Sequence, residues 1–250
     1  MSDARPALSV RDLFYFAGPR KNRRAILEDL SFELGAGEFL CLMGPSGSGK
    51  SSLLHLVAGL AEPDGGELEL GGRALGAMKA AERTRLRRDH VGYVFQFFNL
   101  MPNLTVLENV GLPLAIRGWS AGDQKQPCMA LLERLGLGDR GGAFPHELSG
   151  GEMQRVSIAR ALAGDQPVLI CDEPTGNLSQ QAGADIMGIL RRLATEDGKS
   201  VLLVTHNPRD ACFADRVLFL VDGRLAERPP LTGPDLPIEE VHKALEELGI

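Results

Sequence analysis

The run Gly44-Pro45-Ser46-Gly47-Ser48-Gly49-Lys50-Ser51 constrains this chain more than any other stretch. It satisfies the pattern G-x-x-x-x-G-K-[ST] at every fixed position. Glu38-Phe39-Leu40-Cys41-Leu42-Met43 before it reads as a short buried strand, and Ser52-Leu53-Leu54-His55-Leu56-Val57-Ala58 after it reads as the start of a helix. That strand–loop–helix setting separates a phosphate-binding loop from a chance glycine-rich turn. Glycines let the backbone wrap closely around phosphate, so that successive N–H groups form an anion nest. The following helix N-terminus adds partial positive charge. Lys50 can then reach β- and γ-phosphates, and the Ser51 hydroxyl can ligate Mg²⁺. The loop predicts a nucleoside-triphosphate site.

A chain of 250 residues suffices for one large domain, or a domain with a subdomain, around a sizeable core. Its net charge of −6 and pI of about 5.5 argue against nucleic acid as the main ligand, which usually demands a basic face. Two basic clusters, Arg83/Arg85/Arg87/Arg88 and Arg20/Lys21/Arg23/Arg24, read as solvated surface. Met1–Pro6 is polar with no apolar run after it, so no secretory signal is expected. No apolar stretch approaches the length of a membrane span. Cys41, Cys128, Cys171 and Cys212 lack CxxC spacing, and Cys41 and Cys171 lie in apolar runs. They suit small core residues in a reducing cytosol rather than disulfides or a zinc site.

Strand-like runs occur at Leu8–Leu13, Ala25–Leu34, Glu67–Leu70 and Val91–Phe95. The middle turns helical, near Thr105–Arg117, Lys125–Leu135 and Gly151–Ala163. Strands then return at Val168–Cys171, Ser200–Val204 and Val217–Val221, with a helix over Gln180–Ala194 between the first two. Strands alternating with helices predict a parallel sheet covered on its faces, with the helical middle inserted into its connections. Pro229–Pro234 reads as a linker. Ile238–Leu248 beyond it reads as an amphipathic helix, with Val241, Leu245 and Leu248 at helical spacing, expected to pack loosely at the terminus, with docking on a second copy as the alternative.

Val168-Leu169-Ile170-Cys171-Asp172-Glu173-Pro174 is a buried strand that ends in two carboxylates. Ligands of a parallel sheet sit at the carboxyl ends of its strands. Asp172 is therefore expected beside the phosphate loop, where it can hold Mg²⁺ through water. Glu173 is expected to project toward the γ-phosphate as a general base for water. Leu148-Ser149-Gly150-Gly151-Glu152 opens a helix that continues Met153-Gln154-Arg155-Val156-Ser157-Ile158-Ala159-Arg160-Ala161-Leu162. Ser149 is an N-cap by chemistry, so this is a second helix N-terminus able to hold an anion.

In this order, the phosphate loop, Gln96, Leu148–Glu152, Asp172-Glu173 and His206 resemble the motifs of the ATP-binding cassette (ABC) ATPases over roughly residues 8–226. The resemblance implies the ABC ATPase fold. That is an α/β P-loop NTPase core with a parallel sheet, an antiparallel β subdomain and an inserted α-helical subdomain near 97–163. The domain would span 1–228, with 229–250 as linker and terminal helix. It implies ATP with Mg²⁺, the nucleotide held by Gly44, Pro45, Ser46, Gly47, Ser48, Gly49, Lys50, Ser51 and Ser52, and the metal by Ser51, Gln96 and Asp172. Lys50, Gln96, Glu173 and His206 would be catalytic, with Gln96 sensing Mg²⁺ and the attacking water and His206 contacting the γ-phosphate. Two copies would stack head to tail, Ser149, Gly150 and Gly151 of one reaching the γ-phosphate held by the other. An aromatic upstream of the loop would stack on adenine. Phe14, Tyr15 and Phe16 are candidates, Phe16 favoured and Tyr15 its alternative. The sequence departs from the family at Ser179, where an Asp usually links the two ATP sites.

Phe95–Val110 and Asp172–Leu178 together resemble the lipoprotein-releasing and macrolide-exporter type of ABC ATPase. That implies separately encoded transmembrane permease subunits, and a cytoplasmic position on the inner face of the membrane through them. The groove for the permease would lie next to Gln96, with Phe97, Phe98 and Leu100 as its apolar surface. Alternatives are an amino-acid importer ATPase, a soluble ABC protein acting on nucleic acid or the ribosome, and a structural ATPase that only gates its partner.

Overall fold

The computed structural model describes residues 5–19 and 23–250. Met1–Ala4 of the expected unprocessed N-terminus, and Arg20 and Lys21 of one basic cluster, lie outside the described residues. In chain order the elements are β1 (Leu8–Ala17), β2 (Arg24–Leu34), β3 (Phe39–Met43), α1 (Lys50–Val57), β4 (Gly65–Leu70), β5 (Arg73–Ala74), α2 (Ala80–His90), β6 (Val91–Val94), α3 (Val106–Ile116) and α4 (Ala121–Arg134). They continue as α5 (Gly150–Leu162), β7 (Val168–Asp172), α6 (Gln180–Thr195), β8 (Ser200–Thr205), α7 (Pro208–Ala211), β9 (Arg216–Val221), β10 (Arg224–Leu225), β11 (Leu231–Thr232) and α8 (Ile238–Leu248).

The main sheet runs β10-β9-β3-β8-β7-β6, with β9, β3, β8, β7 and β6 mutually parallel. Its central strands read as unbroken apolar runs because both faces are covered. Along β3, Phe39, Cys41 and Met43 face one core, and Leu40 and Leu42 face the other. The same alternation puts Leu169, Cys171, Val201 and Leu203 on the first side and Ile170, Leu202 and Val204 on the second. The first core is closed by α5, α6 and the helices between β6 and β7. The second is closed by α1 and by the antiparallel sheet β2-β1-β4-β5. Cys41, Cys128 and Cys171 are buried, Cys212 is half-buried, and all are free thiols.

The helical insertion is α3, α4 and α5, which pack on one another. Its anchor is α5 against β6. A Cβ on Gly92 would stand 2.3 Å from the Ala161 carbonyl oxygen and 2.7 Å from Leu169 Cδ2, so glycine is what permits this approach.

Several elements differ from the sequence-based expectation, α2, β11 and α8 among them. The arginine cluster 83–88 lies on α2, a helix with one buried residue, Leu86. It has no apolar stripe to betray it. Its start is held by the Lys79 N–H donating to Glu82 at 2.8 Å. Arg83 pairs with Glu62, and Arg87 donates to the Gly59 carbonyl at 3.2 Å, so part of this basic surface is structural. The stretch read as a linker carries β11, which pairs Leu231 with Val217 and Thr232 with Arg216. The terminal helix spans the predicted residues, but it is seated rather than loose: Val241 and Ala244 are buried, and α8 packs on α7.

Replacing Gly92 by Ala is expected to cost about 1–3 kcal/mol, the usual range for overpacking. Denaturant unfolding should show a lower midpoint with an unchanged slope. An unshifted midpoint would mean that α5 is not seated on β6 in this way.

Candidate nucleotide site

The phosphate loop connects β3 to α1. Gly47 and Gly49 adopt φ of +86° and +105°, the left-handed region that other residues enter at a cost. A Cβ on Gly44 would stand 2.1 Å from the Leu220 carbonyl oxygen of β9, and one on Gly49 would stand 2.6 Å from Leu27 Cδ2. The loop is thus pressed between β9 and β2. The N-cap Gly49 has no side chain to bond the first N–H groups of α1, which leaves them for an anion. Ser48 Oγ is buried with no hydrogen-bond partner, an orphan polar atom in the same loop. Lys50 is buried and donates from Nζ to the carbonyls of Gly44 and Pro45, each at 2.8 Å. Burial pushes its ammonium pKa down, against the pull of Glu173 and Asp172. Ser46 and Ser51 are exposed, and Pro45 and Ser52 are half-buried.

Asp172 ends β7 opposite Val204 of β8. Burial raises its carboxyl pKa, and neighbouring Glu173 adds to the rise, against His55, the Tyr93 hydroxyl and Lys50. The Tyr93 hydroxyl donates to Asp172 Oδ2 at 3.4 Å. Glu173 sits at φ +44°, a left-handed conformation held by its N–H donating to the Val204 carbonyl at 2.9 Å. Its Oε2 lies 2.9 Å from His206 Nδ1. Gln96 flanks the same turn: its carbonyl accepts from Asn177 Nδ2 at 2.9 Å, and its Nε2 lies 3.1 Å from where a Gly176 Cβ would stand. Lys50, Asp172, Glu173, His206 and Gln96 are therefore gathered around one end of the sheet.

Ser149, Gly150 and Gly151 are not joined to this group. Ser149 caps α5, its Oγ accepting from the Glu152 N–H at 3.3 Å and donating to Glu152 Oε2 at 2.7 Å. A Cβ on Gly150 would meet Leu178 Cδ2 at 3.2 Å, and one on Gly151 would meet Ala182 at 3.4 Å. The opening of α5 thus lies against the turn before α6. Of the three upstream aromatics, Tyr15 packs against the core and Phe14 lies over Gly65. Phe16 belongs to neither core. It pairs with Ala25, next to the Ile26 carbonyl that crowds Gly49, and the Arg23 guanidinium stands 5.9 Å from its ring centroid.

Two residues of the site escape a reading by motif. Tyr93 belongs to an ordinary β-rich run, and only the pairing of β6 with β7 brings it to Asp172. Arg160 lies far along α5, donating to the carbonyls of Phe98 at 2.8 Å and Asn99 at 2.5 Å. It braces two residues at φ of +59° and +49° in the segment after Gln96.

Residues 27–176 match the family model described as ABC transporter. The chain belongs to the ABC transporter family. It is an ATPase of that family, and its architecture is the ABC ATPase fold. The lipoprotein-releasing system ATP-binding protein LolD of Paramagnetospirillum magneticum is 44% identical over 207 residues, covering 83% of this chain and 92% of that protein. The macrolide export ATP-binding/permease protein MacB 1/2 of Paracoccus denitrificans is 46% identical over 200 residues, 80% of this chain but 30% of that protein. Among solved structures, an ATP-binding cassette in a dimeric post-hydrolysis state with ADP and Pi superposes with a TM-score of 0.82 at 36% identity, covering 90% of this chain and 98% of that one.

Gly44→Ala places a methyl group against the β9 backbone, and the cassette's loop can accept it only by moving. ATP affinity measured by titration calorimetry is expected to fall at least roughly tenfold, on the scale of a lost charge-assisted contact. Unchanged affinity would show that the loop is not clamped between β9 and β2.

Proposed function

We propose that this cassette is the ATP-hydrolysing subunit of an exporter- or lipoprotein-releasing-type ABC transporter, acting on a separate membrane permease. The observation that carries the chemistry is the Glu173–His206 contact at 2.9 Å, at the ends of β7 and β8 and beside the phosphate loop. In this reading Lys50 leaves the carbonyls of Gly44 and Pro45 for the β- and γ-phosphates. The free N–H groups of α1 and the orphan Ser48 hydroxyl take up phosphate oxygens, together with the rest of residues 44–52. Phe16 stacks on adenine. Glu173 accepts the proton of the attacking water, His206 orients it and faces the γ-phosphate, and Gln96 monitors both. Positioning and charge stabilisation supply nearly all the catalysis in phosphoryl transfer.

The residues present suit Mg²⁺. Asp172 is a half-buried carboxylate with one long hydrogen bond, and the Ser51 hydroxyl is exposed in the first turn of α1. Ser51, Gln96 and Asp172, the last through water, would hold the ion, which supplies charge neutralisation between the phosphates.

The opening of α5 lies against Leu178 and Ala182, and this supports a head-to-tail pair in which Ser149, Gly150 and Gly151 face the partner's γ-phosphate. Glu173→Gln is expected to keep ATP binding, abolish turnover and accumulate a dimer with ATP by light scattering. Adding Ser149→Arg should return it to monomer. A Glu173→Gln variant with wild-type turnover refutes the base, and a fully dimeric double mutant refutes the sandwich.

Among the described residues no helix is long and apolar enough to cross a membrane, so attachment to the inner face of the membrane would run through the permease. A groove of about 540 Å³ lies where the helical insertion, about 97–163, meets the core. Its apolar wall comes from Leu60, Phe95, Leu112, Pro113 and Ile116. The Phe97, Phe98 and Leu100 surface expected from sequence does not line it. Leu100 packs into the first core, Phe98 is half-buried near Gly150, and Phe97 is 69% exposed beyond the groove. The left-handed pair Phe98-Asn99 turns the segment away. Ile116, 73% exposed, is the better probe. Ile116→Asp is expected to move the co-expressed cassette from the membrane to the soluble fraction with ATP binding intact. Retention on the membrane would exclude the groove as the docking surface. The similarity to a lipoprotein-releasing and a macrolide-export protein favours release or export over import.

A further inference from the structure

Asp210, on the one-turn helix α7, is 3% exposed and outside every motif discussed above. Its Oδ2 accepts from the Thr175 hydroxyl at 2.5 Å and from the Thr205 hydroxyl at 3.2 Å, and its Oδ1 accepts from Asn207 Nδ2 at 3.1 Å. Its three hydrogen-bond donors are neutral, and desolvation raises its pKa against the Thr175 and Thr205 hydroxyls and neighbouring His206.

The partners come from two places only. Thr175 lies two residues beyond Glu173, in the turn after β7, while Thr205 and Asn207 flank His206, in the turn after β8. The Asn207 N–H also donates to Thr205 Oγ1 at 3.0 Å, so the second turn is tied to itself before it is tied to Asp210. One buried carboxylate therefore bridges the segments that carry Glu173 and His206.

We propose that Asp210 is a positioning residue for hydrolysis, holding the turn after β7 against the turn after β8 so that Glu173 and His206 meet in their working geometry. The proposal rests on the reading of Glu173 and His206 as the hydrolytic pair. Asp210 acts through Thr175, Thr205 and Asn207. Asn in its place keeps the shape but loses the charge and one acceptor oxygen, so the threonine hydroxyls must turn from donors to acceptors to keep both bridges.

The test is steady-state ATP hydrolysis by the full chain, with ATP affinity and thermal unfolding measured alongside. Asp210→Asn is expected to lower kcat roughly ten- to hundredfold, the cost of a small misplacement at a reacting centre, with KM for ATP changed less than about twofold. In a His206→Ala background the same substitution should cost less than about twofold further, because it acts through a contact already gone. A packing role would instead add in full and follow the melting temperature. Should Asp210→Asn not fold, Thr175→Val, which removes one bridge, should reproduce the loss in kcat, and Thr175→Ser should restore it. Wild-type kcat in these variants, a change confined to KM, or full additivity with His206→Ala overturns the proposal. Glu173→Gln run in parallel separates the two levels. If it is inactive while Asp210→Asn is unimpaired, only the role of Asp210 fails. If it turns over ATP normally, the hydrolytic pair itself is wrong.

Discussion

The site depends on the parallel register of three buried strands. Met43 of β3 pairs with Thr205 of β8, and Val204 of β8 pairs with Asp172 of β7. The chain therefore leaves all three strands within one residue of the same level. The phosphate loop begins at Gly44, the carboxylates lie at Asp172 and Glu173, and the imidazole is at His206. A one-residue slip in either pairing would send the apolar residues of a strand to the wrong core. Because both faces are buried, such a slip is costly, and the catalytic geometry inherits the rigidity of the hydrophobic pattern.

Much of the site was legible because its chemistry dictates its residues. A phosphate nest needs glycine at left-handed positions, and Gly47 and Gly49 occupy them. A strand that delivers carboxylates to a parallel sheet's edge must be apolar up to that edge, as Val168–Cys171 is. Elements with less to bury were less legible. α2 is held by caps and arginine contacts rather than an apolar stripe, and β11 is a two-residue strand within a proline-rich stretch. The terminal helix announced its own periodicity but not its seat, since that depends on α7. Tyr93 and the bridge made by Asp210 were invisible for a related reason: Asp172 lies 79 residues from Tyr93 and Thr175 lies 35 from Asp210, and no local spacing encodes such a meeting.

Helix α5 links parts of the molecule that the motifs describe separately. Its first turn carries Ser149–Gly151 against the Leu178 turn, and its middle supplies Gln154, whose Nε2 donates to the Pro174 carbonyl at 2.8 Å. Its last turns hold the Phe98 and Asn99 carbonyls through Arg160 and lie on β6 at Gly92. One rigid rod thus touches the segment after Gln96, the turn after Glu173 and the proposed dimer surface. A displacement of the groove near Ile116 would reach all three together, because packed helices shift as units rather than deform.

Ser179 shows how a departure from the family can be silent in the fold. Its hydroxyl accepts from the Ala182 N–H at 3.4 Å as the N-cap of α6. Serine and aspartate are about equal as caps, so this exchange leaves the helix intact. What it removes is one negative charge at the end of the Asn177-Leu178 turn, beside the opening of α5. The Glu173–His206 contact and its bridge at Asp210 are built within one copy and do not pass through residue 179.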